Sequence, residues 1–142
     1  MSLKISYSKY PCPYAPDGFF YAAVLPVNIA RQEKNAPRSK RFEGMIDSGA
    51  SQCMFHANIG RAIGLEVEKG ECVKTSGVAG PSEMFLHDIS VYLPGGIVTT
   101  RAGFSHTLPV AGLLGMTGFF EHFKITFDPA ALQIELERLF KA

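Results

Sequence analysis

Apolar and polar residues alternate with a period of two along much of this chain, and glycines and prolines break the alternation into short segments, a pattern that predicts β-strands. The cleanest case is KITF (residues 124–127) and LQIEL (residues 132–136), separated by Asp128-Pro129-Ala130-Ala131, which reads as a terminal hairpin with one buried face. Residues 71–76 and 83–93 flank Gly77-Val78-Ala79-Gly80-Pro81, predicting a second hairpin whose loop is longer than the tightest type. Pro94-Gly95-Gly96 ends it, and residues 97–104 begin another strand.

In the first half, residues 19–29 (FFYAAVLPVNI) are rich in aromatic and β-branched residues and long enough for a strand, with Pro26 making its middle an edge or a bend. A second strand, residues 42–46, follows a loop. Residues 57–65 (ANIGRAIGL) place Ile59, Ala62, Ile63 and Leu65 near helical spacing, and Gly60 and Gly64 limit the helix to about two turns. Residues 108–114 are apolar, and residues 115–123 have the composition of a short helix. Residues 1–18, with Pro11, Pro13, Pro16 and Gly18, show no stable period and read as an N-terminal arm. The expected organisation is this arm, one domain over residues 19–136, and a charged tail over residues 137–142. No internal repeat or low-complexity segment interrupts it. The fold class these segments indicate is all-β, with one or two short helices and about seven to nine strands.

A chain of 142 residues, 46% of them hydrophobic, suits one domain with a sizeable core. The net charge is +1, and the one dense basic stretch, residues 31–41, is interspersed with Gln32, Glu33, Asn35, Pro37 and Ser39, as in a solvated loop, which argues against a nucleic-acid partner. No apolar run approaches the roughly 20 residues of a membrane span, and the first residues lack the apolar stretch of a secretory signal. The expectation is a cytoplasmic protein without a membrane partner. Cys12, Cys53 and Cys72 are odd in number and irregularly spaced, which fits reduced, mostly buried thiols. Cys53 and His56 have ligand-type spacing, but His87, His106 and His122 stand alone and provide no second ligand pair, so neither a metal nor another cofactor is expected.

One run carries chemistry. Met45-Ile46-Asp47-Ser48-Gly49-Ala50-Ser51 places a carboxylate at the end of an apolar strand and follows it with small residues whose backbone N–H groups can reach its oxygens. In isolation, Asp-Ser-Gly is most often an ordinary turn in which Asp bonds its own backbone. The order of motifs changes that weight: a strand, this run, a short helix, a glycine-tipped hairpin, then Ala111-Gly112-Leu113-Leu114-Gly115 and a final hairpin.

That order, over about residues 19–136, resembles the retropepsin-like aspartic proteases. The resemblance implies a barrel with a flap hairpin, and endopeptidase activity on peptides bound in extended form. Asp47 matches the catalytic aspartate, and Ser48 the hydroxyl residue that bonds across the two-fold axis. Gly49 matches the glycine whose N–H approaches the carboxylate, with Ala50 and Ser51 the small residues behind it. Gly77, Val78, Ala79 and Gly80 match the flap tip, and Leu113, Leu114 and Gly115 the supporting motif packed under the catalytic loop. Many relatives carry Asp or Asn where this chain has Thr117, so Thr117 is expected to tie that segment to neighbouring backbone.

Such chemistry needs two carboxyls sharing a proton. Asp17 lies in the arm, Asp88 within a predicted strand and Asp128 before Pro129 in a turn; none has the strand-then-small-residue setting of Asp47. The expected partner is therefore Asp47 of a second copy in a symmetric homodimer. Retroviral relatives interleave their chain ends to dimerise, a pattern that residues 1–18 and 137–142 do not clearly match. The alternative is a catalytically inactive peptide-binding or dimerisation module of the same fold.

Overall fold

The computed structural model describes residues 2–77 and 80–139. Val78 and Ala79, two of the four expected flap residues, lie outside them. Twelve strands are present among the described residues, more than the seven to nine expected. The excess comes from strands at the N-terminus, from a break at Ala23 and from two three-residue strands that alternation cannot signal.

In chain order the strands are β1 (Ser2–Ser6), β2 (Ser8–Pro11), β3 (Phe19–Ala22), β4 (Val24–Arg31), β5 (Phe42–Ile46), β6 (Met54–His56), β7 (Glu71–Gly77), β8 (Gly80–Leu93), β9 (Gly96–Ser105), β10 (Gly112–Leu114), β11 (Phe123–Asp128) and β12 (Gln133–Arg138). Helix α1 (Ala57–Ala62) follows β6, and a 3-10 turn spans Val67–Lys69. Among the described residues no helix is long and apolar enough to cross a membrane.

The principal sheet runs β4-β5-β10-β6-β9-β8-β7, and β4 also pairs with β8. The first half of β4 bonds β5 (Val24↔Met45 to Val27↔Phe42) and its second half bonds β8 (Asn28↔Tyr92 to Arg31↔Ile89), so the sheet closes into a barrel. Pro26 sits within β4, opposite Glu43, without interrupting the pairing. Leu25, Val27, Ile29, Phe55, Phe104 and Leu114 fill the interior and are fully buried. Gly44 and Gly60 admit these side chains: a Cβ on Gly44 would lie 3.1 Å from Leu114 Cγ, and one on Gly60 2.8 Å from Phe104.

A second sheet, β1-β12-β11, adds Phe123, Ile134 and Leu136 to the same core. Residues 2–11 are thus corrected from an aperiodic arm to two strands: Ser2–Ser6 pairs with β12 (Ser2↔Glu137 to Ser6↔Gln133), half-burying Leu3 and Ile5, and Ser8–Pro11 pairs with β3. Five residues of alternation before a proline-rich stretch are too short a local signal; the edge of β12 makes them a strand.

The helix expected over residues 115–123 is replaced by turns. Gly118 has φ +95°, a left-handed conformation that breaks an α-helix, and a Cβ there would meet Thr100 Oγ1 at 2.7 Å. Its N–H is capped by the Glu121 carboxylate at 2.8 Å.

Candidate active site

β5 and β10 run parallel, with Gly112↔Gly44, Leu113↔Met45 and Leu114↔Ile46 in register, so both strands release the chain at one end of the barrel. There the Asp47 N–H donates to the Leu114 carbonyl at 3.0 Å, fixing the residue's backbone against β10. The loop then turns back: the Gly49 N–H donates to Asp47 Oδ1 at 2.8 Å and the Ala50 N–H to the Asp47 carbonyl at 3.1 Å. A Cβ on Gly49 would stand 3.1 Å from that same carboxylate oxygen, so glycine keeps the N–H within reach.

The segment after β10 clamps the loop from behind. The Met116 N–H donates to the Ala50 carbonyl at 2.9 Å and the Thr117 N–H to the Ser51 carbonyl at 3.0 Å. Thr117 therefore ties the segments together through its backbone, and its carbonyl accepts from the Cys53 N–H at 3.2 Å. Gly115 is the tightest point: a Cβ would lie 2.5 Å from the Gln52 carbonyl oxygen and 2.7 Å from that of Ala50. Of the two leucines before it, Leu114 is in the core, whereas Leu113, on the opposite face of the strand, lines the cleft in front of Asp47.

That cleft has a volume of about 680 Å³. Asp47, Gly49, Ala50 and Ser51 form its floor. Thr75 and Ser76 of β7 and Gly80, Pro81, Ser82 and Met84 of β8 form one wall, and Ser105, Thr107, Leu108 and Pro109 the other. β9 joins β8 only from Phe85 onward, so the outer part of β7–β8, from Val73↔Met84 to Gly77↔Gly80, projects as a two-stranded ribbon beside the cleft. Its strands run further toward the tip than alternation suggested, and Gly80, at φ +103°, takes the backbone conformation a side chain would oppose. The expected flap residues Gly77 and Gly80 thus pair at the end of this ribbon. Asp47 is half-buried, Ser48 is exposed, and among the described residues no other Asp or Glu lines the cleft.

The opposite wall carried no motif. Ser105 is buried and its Oγ accepts from the Thr107 N–H at 3.2 Å, shaping the bend into the cleft. His106, between them, reaches Glu68 at 2.9 Å, and Arg61 meets the same carboxylate at 2.8 Å, bracing this wall against α1 and the 3-10 turn. A backbone N–H within the turn and Arg61 hold the Glu68 carboxyl below its ordinary range. His56 caps α1, its Nδ1 accepting from the Asn58 N–H at 3.0 Å.

Cys53 is buried beneath the loop, and burial pushes its thiol up from 9.0 to about 11, with a smaller contribution from Glu121. Above pH about 9 the unfolded chain's thiol ionises while the folded one stays protonated, so the unfolded state binds fewer protons and stability falls as pH rises to about 11. Cys53→Ala should remove this component. Denaturant unfolding at both ends of that window should show wild type losing roughly 2–3 kcal/mol more than the variant.

No protein-family model matches the sequence, and no curated protein matches it. Solved structures do. A retropepsin-like aspartic protease from Rickettsia conorii superposes with a TM-score of 0.64 at 16% identity, covering 96% of this chain and 98% of that one. EIAV protease complexed with the inhibitor HBY-793 superposes with a TM-score of 0.53 at 19% identity, covering 67% of this chain and 82% of that one. The chain has the retropepsin-like fold. At these identities the likeness is one of fold, and both neighbours are proteases.

Proposed function

We propose that this chain is an aspartic-type endopeptidase that hydrolyses peptide bonds with a water activated between the Asp47 carboxyls of two copies. The observation that carries the reading is the setting of Asp47: a carboxylate oriented by a backbone N–H, at the floor of a cleft flanked by a projecting hairpin, with no second acid in reach among the described residues. The other aspartates are occupied elsewhere. Asp17 Oδ1 accepts from the Phe19 N–H, Asp128 Oδ1 from the Ala131 N–H, and Asp88 lies mid-strand in β8 opposite Arg101.

Two carboxyls about 3 Å apart cannot both ionise, so they share one proton. The ionised member takes a proton from the water, which attacks the peptide carbonyl, and the neutral member gives its proton to the carbonyl oxygen. The half-burial of Asp47 in one chain leaves a side open for the second carboxyl. Ser48 is exposed, and on this reading its hydroxyl bonds across the two-fold axis. An extended peptide fits the cleft, with the β7–β8 ribbon closing over it.

The test is cleavage of an unstructured protein from acidic to neutral pH. Cleavage with specific activity falling on dilution through the dimer dissociation constant is expected. A confirmed dimer that cleaves at no pH in this range would falsify the enzyme reading and leave a peptide-binding module.

A further inference from the structure

Among the described residues the exposed aromatic side chains Tyr14, Phe19, Phe20 and Tyr21 lie in one segment, with Phe127 exposed elsewhere. β2 and β3 pair only with each other (Ser8↔Ala22 to Pro11↔Phe19), forming a two-stranded sheet of their own. Isolated two-stranded hairpins are marginal in water and need a surface to cover them. Tyr10 and Phe20 face each other across the hairpin, their rings stacked at 5.2 Å, and Tyr10 OH bonds Glu43. With Val24, Met45, Val110 and Ala111 they line a trough of about 260 Å³ on the barrel flank. This face leans on the barrel flank, with Phe20 still 44% exposed. By strand alternation Lys9, Phe19 and Tyr21 lie on the other, Phe19 and Tyr21 38% and 37% exposed, with the Lys9 ammonium 3.9 Å from the centre of the Phe19 ring. Tyr14, at the tip, is 96% exposed. Aromatic surface of this kind marks an interaction site.

The position of the hairpin says what covers it. β4 is antiparallel to β5, so following the chain back along β4 through Ala23 leads to the barrel end where β5 releases Asp47. The Ala23 carbonyl accepts from the Ile46 N–H at 3.0 Å, one residue before the catalytic position. The hairpin is therefore rooted beside the point that a two-fold axis through the paired carboxyls must pass. No hairpin residue lines the cleft, which separates this surface from the peptide path. Among the described residues β12 is bonded on one edge by β1 and on the other by β11, so β12 itself offers no edge to a partner's terminal strand, and β1 and β11 are the outer strands of that sheet.

We propose that the outer face of the β2–β3 hairpin is the surface on which a second copy of this chain docks, clasping the two Asp47 loops together in place of interleaved chain ends. The proposal rests on the paired-carboxylate reading of the site. Its partner is the chain itself, because the site is incomplete without a second Asp47 and the hairpin grows from that site's edge.

The test combines sedimentation with cleavage for wild type and the double variant Phe19→Asp, Tyr21→Asp, neither residue being in the core. The expected result is a dimer dissociation constant raised at least about tenfold. Activity per dimer should recover at high protein concentration, with thermal unfolding of the monomer unchanged. Independently of any variant, amide exchange over residues 8–22 of wild type should slow on concentration through the dimer transition. An unchanged dissociation constant, or exchange in these residues indifferent to concentration, overturns the proposal. So does normal dimerisation with impaired cleavage, which would assign the hairpin to substrate. The underlying reading fails separately: a wild-type dimer that assembles through the hairpin and cleaves nothing removes the enzyme and leaves the interface.

Discussion

Asp47→Asn is expected to abolish cleavage while leaving the fold and the dimer intact, a loss of roughly 10²–10⁴-fold or more in kcat. The amide retains an oxygen to accept the Gly49 N–H, at 2.8 Å in the parent, so the loop conformation has no reason to change. What disappears is the negative charge that takes a proton from water, and with it the shared proton of the pair. In a dimer both members are replaced at once, so no partial site survives. The measurement is kcat/KM on an unstructured substrate, with sedimentation and circular dichroism confirming an unaltered assembly. Substantial residual cleavage would remove Asp47 from the chemistry and, since no other acid among the described residues lines the cleft, would move the site elsewhere.

The second large effect is expected at a residue that touches no substrate. Gly115→Ala brings a methyl to 2.5 Å from the Gln52 carbonyl oxygen and 2.7 Å from the Ala50 carbonyl oxygen. Both are backbone atoms of the loop that follows Asp47, so relief cannot come from a rotamer change; the loop or β10 must move. Overpacking of this kind typically costs about 1–3 kcal/mol. Displacement of Asp47 by a fraction of an ångström to one ångström should reduce kcat by up to about 10²-fold. Denaturant unfolding and single-turnover cleavage on the same sample separate the two effects. Wild-type kcat with reduced stability would mean that the strain is absorbed in β10 without reaching the carboxylate.

Legibility in the sequence followed how local each signal was. β5 was readable because residues 42–46 form an apolar run ending in an acid and small residues, and the structure has the strand over Phe42–Ile46. The β11–β12 hairpin was readable because its period of two is uninterrupted on both sides of Asp128-Pro129, and α1 because four apolar residues fall at helical spacing. β1 was not, because Leu3 and Ile5 become a strand only when β12 offers its edge. The turns after β10 were missed because a glycine in mid-segment reads the same whether helical or left-handed; the Thr100 side chain packed against Gly118 excludes a side chain there.

The Asp47 loop was legible as a candidate for chemistry and the cleft was not. Asp47 is of a type that advertises itself, whereas Ser105, Thr107, Leu108 and Pro109 are ordinary by type and reach the cleft through the parallel pairing of β6 with β9. Leu113 and Leu114 are identical in sequence and opposite in role because the strand alternates between them. Thr117 was expected to act as a side chain and acts as a backbone bridge, while Glu121, which sequence alone did not single out, caps the segment's glycine.

The half-exposure of Asp47 in the single chain bears on how a cell would meter such a protein. On the paired-carboxylate reading, newly made chains are an inert reserve, since a lone solvated carboxylate attacks nothing, including its neighbours. Well below the dimer dissociation constant the working species grows with the square of total protein, so about a tenfold rise in abundance yields about a hundredfold rise in output. Abundance itself then sets a threshold, and the protein would be held silent by scarcity without a separate inhibitor.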